Sequence, residues 1–270
     1  MNPKVSVLIT SYNHAPLLRR AIDSVLAQQT SFDVQIIAVD DNSSDNSLDI
    51  LREYYGTDRV SVISFAEHYG MMRAYAVGLE RCSGEYIAFC DCDDFWIDPL
   101  KLQKQVEFMD SETACGLCVT RVLTHGVGAF MGCQSAEYIN GHLTYDDLLK
   151  GTASIHAQGY YLRKSDFEKY IDFDKFIRLK FPVWDYPIVL ELIQHTHFFC
   201  LDFYSAVYVK HVESVTNTHK RWKRFKYVMG NHRIRGYYIL KYGCKPSTFC
   251  YLIYRLCRDI YAVIFKTWNK

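Results

Sequence analysis

The stretch "YIAFCDCDDFWIDP" (86–99) places Asp91, Asp93 and Asp94 within four positions, where a run of β-favouring and apolar residues ends. Carboxylates this close repel one another unless a cation or exposure to water relieves them. Two or three of them on a tight turn form a hard oxygen site suited to Mg2+ or Mn2+. An ion there, shared with a diphosphate, would neutralise charge building on a leaving nucleotide. An Asp-rich turn that caps the next helix accounts for the same residues without an ion. On the motif alone the two readings stand level.

The elements that must position this turn alternate in type. "KVSVLITSYN", "DVQIIAVDDNSSDNS", "RVSVISF" and "GEYIAFCD" read as four buried strands, the second ending in turn chemistry. "APLLRRAIDSVLAQQ", "LDILREYY" and "MMRAYAVGLERC" supply the helices between them. Repeated β-α units predict a largely parallel sheet covered by helices on both faces. "TSYNH", "DDNSSD" and "DCDD" each follow a strand, and ligands of open α/β sheets bind at the carboxyl ends of strands. Three polar strand ends therefore converge on one pocket. Beyond Pro99 the pattern predicts a helix over "LKLQKQVEFMD", a strand over "GLCVTRVLTH" and a loop-rich stretch over 126–151. A strand turning into a capped helix over "AQGYYLRKSDFEKY", a helix in "FPVWDYPIVLELIQH" and one or two strands in "THFFCLDFYSAVYVKH" complete the body.

Hydrophobic residues make up 49% of the 270 and charged residues 23%, which fits a globular chain with a sizeable core. The net charge of +1 hides an asymmetry: residues 219–270 hold 13 Lys and Arg against the single acid Asp259, and the remainder holds 18 basic and 29 acidic residues. A basic tail on an acidic body suggests an anionic partner. The ten cysteines follow no signal-peptide pattern, so they are expected to be reduced and mostly buried. "CGLC" (115–118) has half a zinc site's spacing but no second pair to complete it.

"VSVLITSYNHAPLLRRAIDSVLAQQ", "IIAVDDNSSDNS", "GEYIAFCDCDDFW" and "VWDYPIVLEL", in this order and spacing, closely resemble family-2 glycosyltransferases of the GT-A fold. The similarity is dense from about Lys4 to Asp110 and recurs in patches to about Thr216. It implies an α/β GT-A (nucleotide-diphospho-sugar transferase) fold: a mostly parallel central sheet with helices on both faces, plus a C-terminal basic helical appendage. A catalytic domain would span 1–217, with a nucleotide-sugar half to about 110 and an acceptor half over 111–217. The appendage would span 218–270. The activity implied is inverting, non-processive transfer of one sugar from a nucleotide-diphosphate sugar, a UDP-sugar first, to a glycan or polyprenyl or other lipid-linked acceptor. The setting implied is surface polysaccharide or glycolipid assembly.

The resemblance also assigns residues. Thr10, Tyr12 and Asp41 would hold the nucleoside, with Asp40 supporting their loop. The family's DxD falls on Asp91 and Asp93, with Asp93 the foremost ligand of Mn2+ or Mg2+ and Asp94 positioning the turn. Asp185 would be the base that takes the acceptor's hydroxyl proton; read from its residues alone, the ordinary helix N-cap is the favoured reading. "YVKHVESVTN" nominates His211 beside the metal, with Ser214 and Thr216 behind it, whereas His156, His195 and His197 have no comparable support.

The chain departs from the family at two places. Tyr75 and Ala76 stand where Arg and Asn are common, so Arg73 is nominated for a nucleotide or phosphate contact. "THKRW" puts Thr218 in the glutamine position of the processive enzymes' Q-x-x-R-W, which favours single additions. In the tail, "STFCYLIYRLCRDIYAVIFKTW" approaches membrane-span length, but Arg255, Arg258 and Asp259 interrupt it. A helix lying in an anionic interface fits better, placing the chain on the inner face of the cytoplasmic membrane; packing on the body is the other expectation. No nucleic-acid motif is present. A haloacid-dehalogenase-like phosphohydrolase would need a Thr where Phe95 stands, and a degenerate GT-A-like scaffold would have no need of Asp91, Asp93 and Asp185.

Overall fold

Side chains alternate across a strand, so a strand buried on both faces must be apolar throughout. β1 (Val5–Ser11) comes close: Val5, Val7 and Ile9 enter one core and Leu8 the other, and the buried Ser6 is satisfied by donating its hydroxyl to Gln35 at 2.6 Å. The computed structural model describes residues 2–126, 129–131, 143–152, 155–210 and 221–265. Around β1 run α1 (Ala15–Leu26), β2 (Val34–Asp40), α2 (Ser47–Arg52), β3 (Val60–Ser64), α3 (Met71–Arg81) and β4 (Tyr86–Phe89). β5 (Phe95–Trp96), α4 (Lys101–Ser111), β6 (Cys115–Gly126), β7 (Ala129–Met131), α5 (Tyr145–Lys150) and β8 (Tyr161–Arg163) follow. The last elements are α6 (Lys164–Tyr170), α7 (Phe173–Arg178), α8 (Asp185–Leu192), β9 (His197–Val209), α9 (Arg221–Tyr242) and α10 (Pro246–Phe265).

One sheet holds all the strands, in the order β3-β2-β1-β4-β8-β6-β9-β5, with β7 added to β6. The β3-β2-β1-β4 half is entirely parallel, as β-α-β crossovers require. β8 turns the direction by pairing antiparallel with both β4 and β6, and β9 runs parallel to β6. The α/β architecture read from the sequence is therefore the one observed.

Several details differ from expectation. The stretch 126–151 contains β7 and α5 at its ends; α5 starts in a capping box, with Thr144 accepting from the Asp147 amide. β5 escapes periodicity because it is two residues long and exists only by pairing with β9. α6 begins at Lys164, without a side-chain cap.

α9 and α10 pack against the α3 side of the sheet. Ile234 and Tyr238 are fully buried there, and the Tyr238 hydroxyl donates to the Pro187 carbonyl at 2.9 Å. Lys241 pairs with the buried Glu191 at 2.6 Å, and Thr248 donates to Asp146 at 2.5 Å. No described helix is long and apolar enough to cross a membrane.

Glycine sets one close approach in the sheet. A Cβ on Gly84 would lie 2.5 Å from the Ser6 nitrogen and 2.7 Å from the Val5 carbonyl carbon, both backbone atoms of β1. Gly84→Ala is expected to destabilise the fold by about 1–3 kcal/mol through overpacking. Gly236 inside α9 has open space around its Cα, so Gly236→Ala should stabilise by about 0.5–1 kcal/mol through helix propensity. Chemical-denaturation midpoints of the two variants, moving in opposite directions, check both.

Candidate active site

The carboxyl ends of β1, β2 and β4 open onto one cleft of about 990 Å³. Thr10, Tyr12, Asp41, Asp91 and Asp93 line it on the strand side. Asp185, Tyr186 and residues of α9 and α10 line it opposite. The three polar strand ends singled out in the sequence thus meet.

On the β1–β2 side, Asp41 is almost fully buried and accepts hydrogen bonds from the Tyr69 and Gly70 amides, both at 2.8 Å. His68 Nδ1 lies 2.9 Å from the same carboxylate, and its ring stacks on Tyr12 with centroids 4.0 Å apart. Gly70 adopts φ 88°, a left-handed value glycine accepts freely, and this turns the chain into α3. Asp40 accepts from the Ser43 amide and hydroxyl at 2.9 and 2.6 Å, folding the loop behind. The result is a half-exposed aromatic plate, Tyr12, beside a fixed carboxylate.

At the end of β4, Asp91, Asp93 and Asp94 each bring one oxygen within 4.8 Å of the others. They differ in what holds them. Asp94 is fully buried, accepting from the Val209 amide at 2.7 Å on Oδ1 and from Gln158 on Oδ2, so it ties the turn to β9. Asp91 accepts from the Tyr75 hydroxyl on Oδ1 and from Gln158 Nε2 at 3.1 Å on Oδ2. Burial first, and the neighbouring Asp93 charge second, push the Asp91 carboxyl up to about 7. Burial likewise pushes Asp94 well above the usual carboxylate range, again with Asp93 next in effect.

Burial and crowded negative charge both act in that upward direction, and a cation bound among the carboxylates opposes both. An all-carboxylate oxygen set with two partly exposed members, Asp91 and Asp93, fits Mg2+ or Mn2+. Among the described residues no other group of three potential ligand residues comes together.

Asp185 is the first residue of α8, preceded by Trp184 at the N-cap, and its Oδ1 accepts from the Tyr186 amide at 2.8 Å. Burial raises its carboxyl above the ordinary value, and the backbone amides of Tyr186 and Asp185 oppose that shift. Its charge is felt by Asp91 across the cleft. Trp184 stacks on Tyr75 with centroids 4.1 Å apart, so the residue bonded to Asp91 packs on the residue that leads into Asp185.

Thr10, Tyr12, Asp41, Asp91, Asp93 and Asp185 are therefore brought together. Arg73 is not: it does not line the cleft, and its guanidinium lies 4.0 Å from Asp174 of α7. His211, Ser214 and Thr216 lie outside the described residues. Tyr75, Gln158, His68 and Trp184 were not nominated from the sequence. Tyr75 sits where the family pattern has Arg, and that departure was the available signal.

Residues 6–171 match Glycosyl transferase family 2. TuaG of Bacillus subtilis strain 168, named for teichuronic acid biosynthesis, is 39% identical over a stretch covering 56% of this chain and 58% of TuaG. An uncharacterized glycosyltransferase of Nostoc is 41% identical over 42% of this chain and 35% of its own length. The chain thus spans between about a third and three fifths of these relatives. Among solved structures, S. aureus TarS 1–349 in complex with UDP-GlcNAc aligns with a TM-score of 0.72 at 16% identity, covering 98% of this chain and 76% of that one. The mannosyltransferase PcManGT from Pyrobaculum calidifontis, in complex with GDP-Man and Mn2+, aligns with a TM-score of 0.63 over 97% of this chain and 71% of that one, also at 16% identity. At such identities the structures establish the fold, and the family match over more than half of the chain establishes kinship: the chain belongs to Glycosyl transferase family 2.

Proposed function

We propose that the protein is an inverting glycosyltransferase moving one sugar from a nucleotide-diphosphate sugar to a hydroxyl of a glycan or lipid-linked acceptor in surface polysaccharide or glycolipid assembly. One observation carries this reading: a half-buried carboxylate, Asp185, faces the Asp91–Asp93 pair across a single cleft. The donor is a UDP-sugar in the first instance, in line with the UDP-GlcNAc of TarS; the GDP-Man of PcManGT is the competing choice.

In this reading Tyr12 lies against the base, and Asp41 accepts a proton of the base or ribose while bracing the loop into α3. Asp91 and Asp93 would hold Mn2+ or Mg2+, which when bound would supply Lewis-acid neutralisation of a diphosphate leaving group. Tyr75 and Gln158 orient Asp91. Asp185 accepts the acceptor's hydroxyl proton as that oxygen attacks the anomeric carbon from the face opposite the diphosphate, whose C–O bond breaks. The family resemblance would add His211 as a further ligand of that ion.

The tail (218–270) gives the body a peripheral contact with an anionic membrane on the cytoplasmic side. In support, α10 exposes Phe249, Ile253, Tyr254, Tyr261 and Phe265 on its outer face, flanked by basic residues. α9 contributes to the core, so truncation would unwrap the body and surface substitution is the sounder test. Ile253→Glu with Phe265→Glu should abolish flotation with phosphatidylglycerol vesicles while leaving the melting temperature within a few degrees. Undiminished flotation refutes the membrane contact.

Asp93→Ala should lose Mn2+-dependent binding of UDP in calorimetry. Asp185→Asn should keep that binding and lose about 10²–10⁴-fold in transfer rate, the usual contribution of a general base. Normal transfer by the Asn variant removes Asp185 from the mechanism. Tyr75→Phe keeps the stack on Trp184 but deletes a donor to Asp91; loss of one hydrogen bond to a charged group costs about 1.5–3 kcal/mol. Mn2+ affinity should therefore fall roughly 10- to 100-fold, read by titration in the presence of UDP.

A further inference from the structure

The cleft wall around Asp185 carries four cationic side chains from separate segments: Lys210 after β9, Lys223 and Arg235 of α9, and Arg255 of α10. Arg235 is 8% exposed. Its Nε donates to the Leu149 carbonyl at 3.0 Å, and its guanidinium lies over the ring of Tyr186, the neighbour of Asp185, at 5.2 Å. No carboxylate among the described residues pairs with Arg235, Lys210 or Lys223. Arg255 donates to the Lys150 carbonyl, and its buried Nε has no hydrogen-bond partner. The nearest acid, Asp259 at 3.6 Å, is shared with Arg258 at 2.9 Å and His232 at 3.1 Å. Burial and the nearby Arg235 charge both disfavour the charged form of Arg255.

Burying a guanidinium whose only hydrogen-bond acceptor is a neutral carbonyl is costly, and crowding a second one beside it is costlier still. The arrangement mirrors the Asp91–Asp94 turn with the sign reversed. It suits an anion with several oxygens, which guanidinium groups bind in forked geometry. The donor's diphosphate belongs at Asp91 and Asp93, whereas these cations flank the residue read as the base.

We propose that the acceptor is a phosphate ester, and that Arg235 and Arg255, with Lys223 and Lys210 at the mouth, bind its phosphoryl group so that the neighbouring hydroxyl reaches Asp185. This rests on the glycosyltransferase reading above and adds the acceptor's chemical class. A lipid diphosphate and a phosphodiester-linked glycan share the required group.

The test uses the full chain saturated with UDP and Mn2+, so that the donor side is filled, and measures binding of two probes by calorimetry: octyl diphosphate and a glycerol-phosphate diester oligomer. Binding of either supports the subsite, and the tighter one identifies the source. Arg235→Gln should weaken it roughly tenfold or more. Lys223→Gln, at an exposed position that cannot unfold the chain, should weaken it about threefold by removing one rim charge. UDP affinity should be unchanged in both variants. Failure of both probes to bind, equal binding by both variants, or displacement of UDP by the probes overturns the proposal. If instead UDP itself fails to bind wild-type protein with Mn2+, the donor reading has failed, which is a separate outcome.

Discussion

Three carboxylates at the end of one buried strand repel one another, and the surrounding structure is arranged to hold them together regardless. At 4.8 Å, two unit charges in an effective dielectric of about 20 repel by roughly 3–4 kcal/mol. The chain offsets part of this mostly through neutral donors, with the His14 ring 4.0 Å from Asp93. The Val209 amide and Gln158 fix Asp94, and Tyr75 and Gln158 fix Asp91, all as neutral donors. An arginine in place of Tyr75 would neutralise Asp91 outright. A tyrosine orients the carboxylate and leaves its charge uncompensated, so the demand for a cation persists.

The same tyrosine links the two chemical ends of the cleft. Its ring is buried against Trp184, which also packs on Phe89 of β4 with centroids 4.5 Å apart, and Trp184 leads directly into Asp185. The separation between the acidic turn and Asp185 is thus set by stacked aromatics in a close-packed core rather than by loops. Sugar transfer with inversion needs the attacking and departing oxygens in line, and rigid packing maintains such a geometry at no cost during the reaction.

Legibility in the sequence follows from range. The four parallel strands and their helices were readable because each carries its own periodicity, and the acidic strand ends because composition changes abruptly there. Features that exist only through distant pairing were not. β5 is a strand because β9 lies beside it, and α5 falls in a stretch read as loop-rich although Thr144 and Asp147 form a cap. Gln158 shows no pattern of its own; only the antiparallel turn through β8 brings it under Asp91 and Asp94. Arg73 illustrates the converse. A basic residue at a plausible helical position points toward α7 because the face of α3 turned to the cleft is the one bearing Ala74 and Tyr75.

The charge asymmetry of the chain has a structural counterpart. Part of the tail's positive charge is consumed internally, where Lys241 meets Glu191 and Lys245 lies 3.5 Å from Asp146. These pairs, with the buried Ile234, Tyr238 and Leu252, clamp α9 and α10 to the acidic body. Clamped in that position, the helices turn Arg235 and Arg255 inward to the cleft and the aromatic face of α10 outward. A tail that was merely an electrostatic anchor would have no reason to bury an arginine beside Asp185. Its inward cations make it a wall of the cleft, so the element expected to meet an anionic surface is also the element that closes the cleft on the Asp185 side.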